Sequence, residues 1–247
     1  MFTPNIAEGI HRITHAHTNC YLVEDGGGLL LVDAGLPGTR RKFIGALSSL
    51  GRSLADVRAV VLTHGHFDHV GFAEYLRSQH GIPVYGHVDD AYIAAHPYRY
   101  QRERTPLLYP VRYPQAVPVL ARMTAAGALK VRGVKKLEPL TSASAAALPG
   151  NPVLVPSPGH TLGHCALSFP ERGVLISGDA LVTLDPYTGR RGPQIVARAA
   201  TANTAAALAS LDALEGTGAE FVLPGHGYAW TNGVAKAAAE ARLVGAH

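Results

Sequence analysis

Cysteine is scarce in this chain of 247 residues, which has only Cys20 and Cys165. Each sits in an apolar, strand-like run ("NCYLV" and "CALSF"). That excludes a disulfide-stapled scaffold and reads as two buried thiols packing like small hydrophobes. Charge is scarce too, at 16% of residues against 47% hydrophobic, a balance that excludes a disordered chain. No apolar run approaches about 18 residues, which excludes a membrane-spanning helix. The opening "MFTPNIAEGIHRI" lacks a basic stretch followed by an apolar one, so no signal peptide and a cytoplasmic location are expected. What is plentiful is turn-forming residues, 27 Gly and 17 Pro, which implies many turns between short elements. The length is compatible with one large α/β domain over 1–247.

The apolar pattern predicts strands at 9–13, 19–25 and 28–35, with a turn at the glycines 26–28. A helix is expected over 39–51, stopped by Gly51. "VRAVVL" (57–62) reads as a buried parallel strand, and the segment from His69 to His80 is helical in period. Strands are expected again at "IPVYG", 151–156, 165–170, 173–179 and 219–225, with helices near 201–215 and 233–244. Residues 88–130 differ from this pattern. Rich in Tyr and Pro, they read as an insertion of short helices and loops lying near a site.

The net charge of +4 is uneven. Residues 98–136 hold nine Arg or Lys and one acid, Glu103, so the rest of the chain is net acidic. One reading is a solvated basic face; the other is steering of an anionic substrate or an acidic carrier. No nucleic-acid-binding module accompanies the charge, so no nucleic-acid partner is expected.

Thirteen histidines are present. His11, His15, His17, His80, His87 and His96 read as packed or solvated. The others form a pattern. "THGHFDHVG" (63–71) crowds His64, His66, Asp68 and His69 behind a strand. His160 follows the strand 151–156, Asp179 ends the strand at 173–178, and His226 ends the last strand. In α/β architectures ligands gather beyond the carboxyl ends of strands, so four strand ends deliver metal-ligand types to one rim. Idle buried His and Asp would be costly to keep unpaired, which argues against a non-catalytic scaffold.

These motifs, from "NCYLV" and "LLLVDAGL" through "THGHFDHVG", "PGHTLGH" and "SGDA" to "LPGHG", resemble the metallo-β-lactamase fold superfamily over nearly the whole chain. The resemblance implies a four-layer αβ/βα sandwich, with two mixed sheets flanked by helices and the site at one edge. It implies that His64, His66 and His160 hold one metal, that Asp68, His69 and His226 hold a second, and that Asp179 bridges them. Asp33 in "LVDAG" would support the metal loop, and His164 would be structural. The donor types suit two Zn²⁺ per chain, with iron or manganese as alternatives. Water activated by the ions would attack a carbonyl, with Asp68 as candidate proton shuttle to the leaving group.

Within the superfamily, true β-lactamases are typically exported and usually lack the bridging Asp. Flavin-partnered diiron relatives replace the second histidine of the first motif with an acid, where this chain has His66. Glyoxalase II adds a C-terminal helical domain, whereas 21 residues follow His226 here. Acyl-homoserine lactonases place a tyrosine three residues after the bridging Asp. Here that residue is Val182, and Tyr187 could serve only if its loop folds back. The expected activity is therefore hydrolysis of a small-molecule carboxylic ester, thioester or lactone, anionic or carrier-linked. The alternatives are a mononuclear iron oxygenase resembling persulfide dioxygenases and a β-lactamase-like amide hydrolase.

Overall fold

The computed structural model describes residues 1–247. Four antiparallel strands open it: β1 (Phe2–Ala7), β2 (Ile10–His15), β3 (Thr18–Asp25) and β4 (Gly28–Val32). Helix α1 (Thr39–Ser49) leads to β5 (Val57–Val61), and α2 (Ala73–His80) leads to β6 (Val84–Gly86). Three short helices follow, α3 (Ala91–Ala95), α4 (Tyr109–Arg112) and α5 (Val117–Ala125), before β7 (Glu138–Pro139). Strands β4 to β7 run parallel, so the seven-stranded sheet, in the order β1 to β7, is mixed.

Helix α6 (Ser142–Ala146) precedes the second sheet. Its strands are β8 (Val153–Pro156), β9 (Cys165–Phe169) and β10 (Val174–Gly178). A separate hairpin of β11 (Val182–Leu184) and β12 (Arg191–Gln194) follows, then α7 (Thr204–Glu215), β13 (Phe221–Pro224) and α8 (Val234–Val244). The second sheet has the order β13-β10-β9-β8 and is also mixed, because β13 lies parallel to β10 while β9 is antiparallel to both its neighbours.

Side chains on a strand alternate between faces, and here both faces are apolar. Cys20, Leu22, Leu29, Leu31, Val60 and Leu62 face a core built with Phe43, Leu47, Phe72 and Leu76 from the α1 and α2 side. Their neighbours Tyr21, Val23, Leu30, Val32, Ala59 and Val61 face Cys165, Leu167, Phe169, Val174 and Ile176 of the second sheet. That sheet's other face, Ala166, Leu175 and Val222, packs on Ala207, Leu211 and Leu214 of α7 and Ala237, Ala238 and Ala241 of α8. Three apolar layers separate four structural ones, the αβ/βα sandwich expected from the sequence. Both cysteines are buried and free, in different cores.

Several expectations need correction. Strands β1, β7, β11 and β12 were not expected. β12 reads "RGPQ", with Gly and Pro inside a polar run, and such strands give no apolar alternation. The helix expected from His69 starts at Ala73 instead. Backbone groups of 69–72 are taken by the loop after β4. His69 carbonyl accepts from Ala34, Gly71 donates to Gly35, and Phe72 donates to Ala34. Gly71 lies so close to Gly35 and Leu36 that a Cβ there would clash with their backbone.

Leu167 is fully buried between the sheets, whereas Leu243 on α8 is 88% exposed. Leu167→Ala should destabilise the protein by about 2–5 kcal/mol and Leu243→Ala by less than about 0.5 kcal/mol, as read from urea unfolding midpoints.

Candidate metal centre

The loops that leave β4, β5, β8, β10 and β13 at their carboxyl ends meet along one edge of the sandwich. They bring together His64, His66, Asp68, His69, His160, Asp179 and His226, all buried. Potential ligand atoms of His64, His66 and His160 lie within 4.8 Å of one another, as do those of Asp68, His69 and His226. A third group, His64, His69 and Asp179, joins these two. Asp179 Oδ2 is 3.5 Å from His160 Nε2 and 3.3 Å from His226 Nε2, and Oδ1 is 3.5 Å from His69 Nε2. The Asp179 carboxylate therefore stands between the two triads. Gly225 permits this approach, since a Cβ at that residue would strike Asp179 and His69.

The other ring nitrogens fix the tautomers. His69 donates through Nδ1 to Asp33 Oδ2 at 2.8 Å, and His226 to the His17 carbonyl at 2.9 Å. His64 Nδ1 faces Thr63 Oγ1 at 3.0 Å, and that hydroxyl donates to Asp33. His160 Nδ1 faces Thr201 Oγ1 at 3.5 Å. Asp33 thus orients both His64 and His69 and accepts the Thr63 amide as well. Such contacts to the far nitrogen aim Nε2 at the shared volume. The Nε2 atoms of His64, His66, His69, His160 and His226, with Asp179 Oδ1, are buried and have no hydrogen-bond partner. An unpaired buried polar atom costs about 1–3 kcal/mol, so six aimed at one volume fit a metal site. Imidazole and carboxylate donors in this proportion suit zinc or iron.

His164 is not aimed at this volume. Its Nε2 accepts the Asp179 amide and its Nδ1 donates to Ser157 Oγ. Burial holds it neutral, with a pKa of about 3.

The two triads differ electrostatically. Burial pushes His64 and His160 well below the usual histidine range and His66 down to about 4. Burial also opposes charge on His69 and His226, but carboxylates win: Asp179 and Asp33 raise His69, and Asp179 and Asp68 raise His226 to about 10. For Asp68, burial favours the neutral acid, yet His226 at 3.2 Å and His69 hold it below its ordinary value. One triad offers free lone pairs, while the other holds protons that a cation must displace.

Three supports were missed from sequence. Asp90, at the start of the insertion, accepts from Gly65 N (2.9 Å), Thr161 Oγ1 (2.7 Å) and Gly163 N (2.7 Å). It ties the loop of His64 and His66 to the loop of His160. Asn19 Nδ2 donates to the carbonyls of Pro224 and Gly227, and Tyr21 Oη to that of Pro224, clamping the turn that carries His226. The only sequence trace of Asp90 is an acid before a short helix, which reads as a cap. Tyr187 folds back after all: its hydroxyl is 3.3 Å from that of Tyr100, whose ring centroid is 4.3 Å from that of His66.

Known proteins resemble this chain in sequence and fold. A model of the metallo-beta-lactamase superfamily matches residues 13–226. "Probable metallo-hydrolase YflN" of Bacillus subtilis (strain 168) is 29% identical over 197 residues, 72% of this chain and 66% of that one. "Probable metallo-hydrolase Mb2322c" of Mycobacterium bovis is 31% identical, over 78% of this chain and 64% of that one. The match thus spans about two thirds of these relatives' length. Among solved structures, the metallo-beta-lactamase family protein TTHA1429 of Thermus thermophilus shares the fold, with TM-score 0.68, 24% identity, and coverage of 94% of this chain and 78% of that one. TTHA1623, solved in a di-iron-bound form, is similar at TM-score 0.62 and 28% identity, covering 87% and 89% of the two chains.

Two outcomes are expected. Metal analysis by mass spectrometry should give about two ions per chain near pH 8, falling toward about one near pH 6 as protons reclaim His69 and His226; equal loss of both ions would reject the asymmetry. Asp90→Ala, which orphans two amides and a hydroxyl, should lower stability by about 2–4 kcal/mol in thermal unfolding and weaken retention of the His64–His66–His160 ion against a chelator.

Proposed function

The chain belongs to the metallo-β-lactamase superfamily, and from that membership we propose that it is a dinuclear metal-dependent hydrolase of carboxylic esters, thioesters or lactones, in a branch close to glyoxalase II and the lactonases. The observation that carries the substrate class is an apolar groove of about 290 Å³ beside the metal centre. Phe67, Leu120, Met123 and Leu129 wall it, with Tyr98, Tyr100 and Arg102 at its side. Phe67 immediately follows His66, and Tyr100 packs on the His66 ring. An acyl chain seated there brings its carbonyl to the buried edge where the ligands converge. Across Tyr100 a second cleft of about 270 Å³, with Arg99, Tyr92, Thr161 and Leu162, receives the leaving portion.

When bound, a pair of zinc ions supplies an activated water and a Lewis acid for the carbonyl. The chain's own residues do the rest. Asp33, Thr63 and the His17 carbonyl keep the ligand imidazoles in one tautomer. Hydrolysis breaks the acyl C–O or C–S bond, adds the water oxygen to the acyl carbon and requires a proton on the departing oxygen or sulfur. Asp68, ionised and 3.2 Å from His226 Nε2, carries that proton from the water to the leaving group. Residues 179–193 contain no Cys, which disfavours the persulfide-oxygenase reading.

The test is a series of 4-nitrophenyl esters of increasing acyl length, with the matching thioesters and lactones, on metal-loaded protein. kcat/KM should rise with each methylene, by up to about fourfold. Leu129→Glu, an exposed position, should flatten the series. His66→Ala and Asp68→Ala should each lower turnover at least about 100-fold with unchanged circular dichroism. Wild-type turnover by His66→Ala, or no hydrolysis of any of the three bond types, would overturn the reading.

A further inference from the structure

Residues 99–105 lie between α3 and α4 as a strap with neither helix nor strand. The strap passes beside the candidate metal centre, where the Tyr100 and His66 ring centroids are 4.3 Å apart. Tyr100 is the one residue that lines both clefts described above. Arg99 and Gln101 turn to one cleft and Arg102 to the other, so Tyr100 is the partition between them.

The backbone around Tyr100 does not hold this partition in place. The Arg99 amide donates to the His96 carbonyl at 2.7 Å, but residues 100–102 make no backbone–backbone hydrogen bond. The Tyr100 hydroxyl meets that of Tyr187 at 3.3 Å, a contact between two neutral groups. The next fixed point along the chain is Glu103, the only acid in the basic segment 98–136. Its amide is shared between the carbonyls of Arg198 (3.1 Å) and Thr201 (3.0 Å). Its carboxylate accepts the Thr204 amide at 2.7 Å through Oε1 and the Thr204 hydroxyl at 2.8 Å through Oε2. Arg198 Nε lies 3.5 Å from Oε2.

Thr204 is the first residue of α7. A carboxylate there meets the positive end of the helix dipole, and charge-assisted hydrogen bonds are about twice as strong as neutral ones. Helix α7 does not need this carboxylate for its own start, because Asn203 caps it by accepting the Ala206 amide at 3.0 Å. What the Glu103 side chain secures is therefore the strap.

We propose that Glu103 is a positioning residue: its carboxylate latches the strap to the start of α7 and thereby holds Tyr100 as the partition between the two clefts. The latch stands on these contacts alone, while its effect on turnover rests on the ester, thioester or lactone reading of the centre.

Fluorine NMR of the full chain labelled with fluorotyrosine tests the latch without substrate, with the Tyr100 resonance assigned through Tyr100→Phe. In Glu103→Ala that resonance should move toward the position of free fluorotyrosine, while that of Tyr21, buried between the sheets, stays where it was. Tryptic cleavage after Arg99, Arg102 or Arg104, located by mass spectrometry, should rise at least about tenfold, with metal content unchanged. Glu103→Gln, whose carbonyl can keep the Thr204 amide while its amino group turns to the hydroxyl, should recover most of both changes. Thr204→Val removes the hydroxyl alone and should give the same changes to a smaller degree, which keeps the test open should Glu103→Ala fail to fold. On an ester that the wild type hydrolyses, Glu103→Ala should raise KM at least about fivefold with kcat within about twofold. An unmoved Tyr100 resonance in both Glu103→Ala and Thr204→Val, cleavage that rises equally throughout the chain, a Gln variant no better than the Ala one, or an unchanged KM would each overturn the proposal. Absence of any turnover by the wild type would instead count against the hydrolase reading, and the resonance and the cleavage would still decide the latch.

Discussion

The candidate ligand set is divided between two sheets, and everything at the site depends on those sheets meeting edge to edge in one register. His64, His66, Asp68 and His69 come from the first sheet; His160, Asp179 and His226 come from the second. Apolar packing between the sheets is non-directional and sets their spacing alone. Direction comes from hydrogen bonds at the shared edge: the Cys165 amide to the Thr63 carbonyl, Asn19 and Tyr21 to the turn at 224–227, and Asp90 between the two histidine loops. Each joins a group on one sheet's loops to a group on the other's. A slip of one residue in either sheet would turn the ligand side chains away from the shared volume.

The layers were legible because the strands carry apolar residues on both faces. The runs "NCYLV", "GLLLV" and "VRAVVL" announce buried strands wherever they occur. The candidate ligands were legible because four of them fall within six residues and the others stand directly behind strands. What remained hidden has partners far away in the chain. Asn19 acts on residues more than 200 positions later, and Asp90 joins residues 25 positions before it and 73 after it. No local pattern distinguishes such an acid from an ordinary helix cap. The misplaced start of α2 has the same origin, since residues 69–72 answer to the loop after β4 and not to their own helix.

Charge in the insertion follows a similar logic. The basic run from Arg99 to Arg112 looks like one face in sequence, yet its members diverge. Arg99 borders the cleft with Thr161, Arg102 the apolar groove, and Arg104 a third cavity beside Tyr109 and Arg198. Arg99, Arg102 and Arg104 lie on one irregular stretch between α3 and α4 that turns successive arginines in different directions, so one segment of chain serves three concave surfaces.

Tyr100 and Tyr187 touch through their hydroxyls, but one rides on the insertion and the other on the β11–β12 hairpin. Neither segment supplies a candidate ligand, and neither belongs to either main sheet. The wall facing the metals is therefore assembled from two appendages, while the metals' own cage is tied into the framework. Inheritance can act on the two separately. Substitutions, insertions and deletions in the appendages can redraw what the site admits while the bond-breaking apparatus is passed on unchanged, and a single lineage on this scaffold can change diet without relearning its chemistry.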